Sequence, residues 1–206
     1  MSANESQGAA SWATYYRHHE NRPASALLRT AMDNVDPAPC KQAIDLGCGA
    51  GNETRALLQA GWRVLAIDQA LQAVQRVQVI GAGFAPGSLQ VMHERFETLK
   101  QLPEASLIHA GMALPFCHPE SFMHFWQLVV AALQPGGVFV GQLFGDRDAW
   151  SHDSTRTFHS EAEVRALLKG LQPITFNTLE YEGSSLRGPK HWHLFEIIAR
   201  KPSGCR

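Results

Sequence analysis

The chain has 206 residues, 45% of them hydrophobic and 18% charged, with a formal net charge of −1 at pH 7. That balance suits one soluble domain with a single core and a short N-terminal attachment, and the absence of any Lys or Arg run argues against the basic face of a nucleic-acid reader. The cysteines Cys40, Cys48, Cys117 and Cys205 are irregularly spaced and form no CxxC, against both a disulfide framework and a zinc clip.

In chain order, residues 1–11 are small and polar and are expected to be a disordered tail, without the basic start or apolar core of a signal peptide. Trp12 to Met32 reads as helical, in two pieces broken at Arg22-Pro23, with Pro23 opening the second piece, "PASALLRTAM". "DNVDPAP" is a loop. From Lys41 strands and helices alternate: strand "QAIDL", helix "NETRALLQAG" stopped by Gly61, strand "WRVLAID", helix "ALQAVQRVQV", strand "LQVMHERF", strand "ASLIHAG". The amphipathic helix "PESFMHFWQLVVAAL" follows, stopped by "PGG" before the strand "VFVGQLFG". "SEAEVRALLKG" opens with Ser160 and carries Glu163 three residues on, a capping box. "ITFNTLEYE" and "HWHLFEIIARK" are two longer strands joined by a turn.

Near-continuous apolar strands alternating with helices predict a mostly parallel sheet covered on both faces. The last two strands are too close in sequence for a crossover and are expected to pair antiparallel. No apolar stretch reaches the roughly 18 to 20 residues of a membrane span, so no membrane association is expected and the cytoplasm is the expected compartment.

Three glycines, Gly47, Gly49 and Gly51, follow the first strand, and Asp68 ends the second. In an open α/β sheet this is where a ligand lies, and glycine lets the backbone approach it. A dinucleotide loop wants a third glycine where Asn52 stands. Asp45, two residues before Gly47, would repel a pyrophosphate and favour an ammonium or sulfonium. The spacing D-x-G-x-G-x-G therefore points to a cationic nucleoside, with Asp68 positioned to accept ribose hydroxyls. The plain alternatives are a ligand-free tight turn for the glycines and a turn or helix cap for Asp68.

"AIDLGCGAG" followed by "VLAID" resembles motif I and the acidic motif II of the class I S-adenosylmethionine-dependent methyltransferases. "ALQPGGVFVGQLF" is similar to that family's LxPGG and fifth strand, and the closing antiparallel pair to its reversed seventh strand. The end, "GPKHWHLFEIIARK", resembles small bacterial members of the tellurite-resistance type. The resemblance implies a Rossmann-like, doubly wound, mostly parallel seven-stranded sheet with an antiparallel last strand and helices on both faces. It divides the chain into the tail 1–11, an N-terminal helical lid 12–40, the domain 41–201 and a tail 202–206.

The resemblance also implies S-adenosylmethionine as cofactor, bound by Asp45, Gly47, Cys48, Gly49, Gly51, Asp68, Gln69, Arg95, Phe96, Ala110 and Gly111, with Arg22 reaching the cofactor carboxylate. Arg95 departs from the family pattern, because it replaces an acid and cannot accept from an adenine amino group. Tyr15, Tyr16, Met112, Phe116, His191 and His193 are the candidates for the acceptor side. His109 or Tyr16 is the candidate general base, His109 having a near-neutral pKa; the other reading of His109 is an imidazole packed at a strand end. His191 and His193 share one face of a strand and Trp192 takes the other, but no further ligand pattern accompanies them, and no metal is expected.

The expected activity is methyl transfer to a small molecule (a thiol, a chalcogen oxyanion, or an O or N nucleophile) by a monomer or homodimer. The alternatives are a nicotinamide-dependent oxidoreductase and a non-catalytic S-adenosylmethionine-binding partner protein.

Overall fold

The computed structural model describes residues 22–36, 41–185 and 188–203. Tyr15, Tyr16 and the first helical piece fall outside these residues. Among the described residues eight strands run β1 (Gln42–Leu46), β2 (Arg63–Asp68), β3 (Leu89–His93), β4 (Ala105–Ala110), β5 (Leu133–Gly145), β6 (Phe158–His159), β7 (Gln172–Ser185) and β8 (Gly188–Arg200). The helices among the described residues are α1 (Ala26–Asp33), α2 (Asn52–Gln59), α3 (Leu71–Gly81), α4 (Pro119–Ala132) and α5 (Glu161–Leu167), with 3₁₀ turns at Phe96–Thr98 and Leu114–Phe116.

One sheet has the order β3-β2-β1-β4-β5-β8-β7, with β6 alongside the end of β5. β1 to β5 pair in parallel, whereas β8 runs antiparallel between β5 and β7. The seven-strand path and its reversed strand are as the sequence implies. The extra strand is Phe158–His159, which pairs with Phe144 and Gly145.

Side-chain alternation splits the core in two. Ile44, Leu46, Ile108, Ala110, Phe139 and Leu143 face Phe122, Phe125, Trp126 and Val129 of α4 and Val164 of α5. Ala43, Leu107, Val138, Val140 and Ile198 face Leu28 and Ala31 of α1 and Leu57 and Leu58 of α2. Each fully buried Leu, Ile or Phe contributes about 1.5–3 kcal/mol. The buried Trp126 satisfies its indole N–H on the Leu167 carbonyl at 3.0 Å, which ties α4 to α5.

Three boundaries differ from the sequence reading. α1 begins at Ala26, not at Pro23, because Ser25 supplies a side-chain cap to the Leu28 amide. α4 ends at Ala132, and β5 begins at Leu133 rather than after the glycines: the register jumps from Ala105↔Leu133 to Leu107↔Val138, so "QPGG" forms a bulge within the strand. The capping box of α5 is present as expected, with Ser160 and Glu163 each bonded to the other's backbone N–H.

Of the 12–40 segment, the described helix α1 packs on the sheet and forms part of the core. Among the described residues no helix is long and apolar enough to cross a membrane.

Candidate active site at the carboxyl edge of the sheet

The strand order reverses between β1 and β4, and the space outside their carboxyl ends is where an open α/β sheet holds its ligand. β1 leaves the sheet through Gly47, Gly49 and Gly51, all left-handed, with φ of 70°, 49° and 79°. Side chains would not fit: a Cβ on Gly47 would lie 2.5 Å from the Ala113 Cβ, and one on Gly51 2.5 Å from Ile80 Cδ1. The loop is closed from β2, where the Ile67 carbonyl accepts from the amides of Gly47 at 2.8 Å and Cys48 at 3.2 Å.

Asp68 completes that closure. Its carboxylate accepts the Gly49 amide at 2.9 Å and the Ala70 amide at 2.8 Å. Burial pushes its pKa up; the two amides act against this, and the Asp45 charge adds to it. Cys48 is buried beside both acids, and burial, Asp45 and Asp68 together drive its thiol pKa well up, leaving it a neutral packing group.

Asp45 and His109 stand opposite each other in the β1–β4 register and on the same face as α2. Asp45 is 1% exposed, and its two oxygens take the Thr54 hydroxyl and, at 2.8 Å, His109 Nδ1. Burial alone would depress the His109 pKa; the hydrogen bond and charge of Asp45, with Glu53, outweigh it and raise it. The His109 ring lies against Gly111, where a Cβ would meet Nε2 at 2.8 Å. Next in the chain, Met112 has φ 51°, the one non-glycine residue with positive φ among the described residues. Glu53, also on α2, accepts from Arg22 Nη2 at 3.0 Å. The structure thus gathers Arg22, Asp45 and His109 with two residues the sequence reading passed over, Glu53 and Thr54. Their signal was present: polar side chains directly after the glycines, on the turn of α2 that faces β1.

Beyond β2 and β3, Gln69, His93, Glu94 and Arg95 line a cleft of about 250 Å³. Arg95 is exposed and paired with Glu97 at 3.4 Å. Phe96 stacks on Phe125 with centroids 4.5 Å apart, and its Cζ lies 3.8 Å from where a Gly47 Cβ would stand. A larger hollow of about 320 Å³, between the end of α3 and the start of β3, lies at the amino edge of the sheet, away from all these residues.

The acceptor-side candidates divide. Phe116 lies in the 3₁₀ turn after β4, edge-on to Phe144 at 5.9 Å, beyond the cofactor candidate Ala110, which is buried at the end of that strand. His191 bridges Glu182 at 2.6 Å and Glu180 at 3.0 Å on the outer hairpin, and these two carboxylates raise its pKa. His193 is 1% exposed, lies across Gly145, and has both ring nitrogens on Arg147 at 3.1 Å. That is a packing position. Among the described residues no group of three or more His, Cys, Asp or Glu side chains is placed to hold a metal ion.

Residues 43–137 match the family described as a methyltransferase domain. Among curated proteins, the chain is 27% identical over 144 residues to trans-aconitate 2-methyltransferase of Deinococcus radiodurans, covering 66% of this chain and 51% of that protein. It is 37% identical over 76 residues to ribosomal RNA small subunit methyltransferase H of Chelativorans sp., covering 37% of this chain and 22% of that protein. The chain thus spans between about a fifth and a half of the length of these relatives. Among solved structures it resembles TehB from Haemophilus influenzae, with a TM-score of 0.70 and 15% identity over 86% of this chain and 63% of that one. It also resembles the N-methyltransferase NodS from Bradyrhizobium japonicum, solved with S-adenosyl-L-homocysteine, with a TM-score of 0.64 and 19% identity over 85% and 84% of the two chains. At these identities the structures speak for the fold, and the family match speaks for the segment that carries the glycine loop. Residues 43–137 thus match a methyltransferase-domain family, and the fold of the chain is the one shared by TehB and NodS.

Proposed function

We propose that this chain transfers the methyl group of S-adenosylmethionine to a small-molecule acceptor. The observation that carries the reading is the three-glycine loop at the switch point, held by Asp68 and backed by the buried Asp45. The donor set fits such a cofactor. Each Asp68 oxygen accepts one amide and keeps a lone pair, so ribose hydroxyls can bind without opening the loop. An acid whose ionised form is already penalised by burial gains from a nearby cation and loses from a pyrophosphate.

The Arg22–Glu53 pair offers opposite charges to the two ends of an amino-acid zwitterion, and Gln69 and the Arg95 cleft border the nucleoside side. When bound, the sulfonium supplies a methyl group already activated toward a nucleophile. The chain's own part is alignment, worth about 7–11 kcal/mol of barrier, and exclusion of water. The turn at Gly111 and Met112, with Phe116, forms the acceptor side. Asp45 holds the proton on His109 Nδ1, which leaves Nε2 as the acceptor nitrogen and makes His109 the general base for an O or N acceptor; a thiol or chalcogen needs little such help. The small-molecule reading is supported by the likeness to NodS and to trans-aconitate 2-methyltransferase. We further propose a cytoplasmic monomer or homodimer.

The test is transfer of labelled methyl to a panel of thiols, phenols, amines, carboxylates and tellurite, with ribosomal RNA as a separate arm. Turnover of a small molecule supports the reading. Turnover of RNA alone moves the acceptor class, and binding without any turnover makes the chain a non-catalytic binder.

A further inference from the structure

Lys190 is on β8, and its side chain is 1% exposed. Its ammonium lies 3.5 Å from the ring centroids of both Trp150 and Trp192 and 4.5 Å from that of Phe144. Asp148, itself fully buried, approaches the ammonium at 2.8 Å as an ion pair without an aligned hydrogen bond. Burial pulls the Lys190 pKa down, and Asp148 resists. These rings come from three places: Phe144 ends β5, Trp150 is in the loop after β5, and Trp192 is on β8. They also contact one another, with Phe144–Trp150 at 6.0 Å and Trp150–Trp192 at 5.7 Å. Three aromatic faces and a carboxylate around one alkylammonium make a cation cage.

We propose that Phe144, Trp150, Trp192 and Asp148 form an alkylammonium-binding cage whose resident ligand is the chain's own Lys190, and that this internal ligand holds the loop at residues 146–157 against β8. The same loop carries Arg156, whose guanidinium lies 4.3 Å from the Trp150 ring and 5.1 Å from Phe116. Lys190 is therefore a positioning residue for the wall that contains Phe116; only the naming of that wall as the acceptor side rests on the proposed function. Hydrogen bonds also join the loop to β8: the Ala149 N–H to the His191 carbonyl at 3.0 Å, the Arg147 N–H to His193 Nδ1 at 3.1 Å and the His193 N–H to the Asp148 carboxylate at 3.3 Å.

The experiment uses the full chain. In the wild-type protein the Lys190 Hε protons, read by NMR, are expected far upfield of those of the other lysines because of the ring currents; ordinary lysine shifts would overturn the cage. In Lys190→Ala, tryptophan emission is expected to change, and amide exchange at Ala149 and Trp150 to rise at least tenfold. Millimolar n-propylammonium is expected to reverse both, and sodium at equal ionic strength to do neither. Lys190→Arg is expected to keep loop protection and Lys190→Met to lose it. If Met protects the loop as well as Lys does, or if n-propylammonium restores nothing, packing rather than the cation holds the loop and the proposal fails. S-adenosylhomocysteine affinity is expected to stay within about twofold in these variants, so loss of cofactor binding by the wild-type protein would count against the proposed function and not against the cage.

Discussion

The carboxylate of Asp68 accepts the amide of Gly49 at 2.9 Å, so the acid that ends β2 holds the loop that leaves β1. Asp68→Ala removes the acceptor for two backbone amides, Gly49 and Ala70. Each amide left unpaired costs about 1–3 kcal/mol. The expected outcome is a lower melting temperature together with at least a tenfold loss of S-adenosylhomocysteine affinity. A stability loss with unchanged affinity would confine Asp68 to holding the loop.

Two glycines separate backbone strain from crowding. Gly47 and Gly61 have φ of 70° and 80°, but nothing lies within 4 Å of a Cβ on Gly61, whereas one on Gly47 would meet Ala113 at 2.5 Å. Gly61→Ala is expected to cost about 1–2 kcal/mol from the left-handed backbone alone. Gly47→Ala is expected to cost a further 1–3 kcal/mol or so from overlap. Denaturant unfolding of the two variants measures the difference, and equal costs would mean that the loop does not pack on Ala113.

Arg22 and Glu53 are joined at 3.0 Å beside the glycine loop. If they bind the amino-acid end of the cofactor, Arg22→Ala lowers the affinity for S-adenosylhomocysteine about tenfold and leaves that for methylthioadenosine, which lacks that end, unchanged. Titration calorimetry with both ligands decides it; equal losses would place Arg22 elsewhere in the assembly of the site.

His109 gives a signed dependence on pH. Burial alone would lower its pKa, but Asp45 and Glu53 together raise it, with Arg22 opposing. A histidine whose folded pKa is raised contributes stability that is complete below about 6.5, its unfolded value, and is lost as pH rises through the folded value. Thermal melts from pH 6 to 9 are expected to show this loss in the wild-type protein. Asp45→Asn is expected to cost about 3 kcal/mol near pH 6 and to flatten or reverse the slope. An identical slope in the variant would remove His109 as its source.

The elements that were legible in the sequence are those with local causes. The capping box at Ser160 and Glu163 needs only their spacing, and the glycine loop needs only its own backbone. The reversed β8 followed from the short connection to β7. What stayed hidden depends on partners far along the chain. β6 is two residues long and exists through β5, and Asp45 meets His109 across 64 positions because parallel register sets them side by side. Lys190 reads as a surface lysine until Phe144, Trp150 and Asp148 are folded around it. The helix start at Ser25 was a local signal overlooked in favour of Pro23.

The central claim is that the crevice above Gly47, Gly49 and Asp68 binds an adenosyl sulfur compound rather than a dinucleotide. Titration calorimetry of the full chain with S-adenosylmethionine, S-adenosylhomocysteine and NAD tests it most directly. Saturable one-site binding of the two sulfur compounds, with no heat from NAD, is the expected result. Binding of NAD, or no binding of either sulfur compound by folded protein, would contradict it.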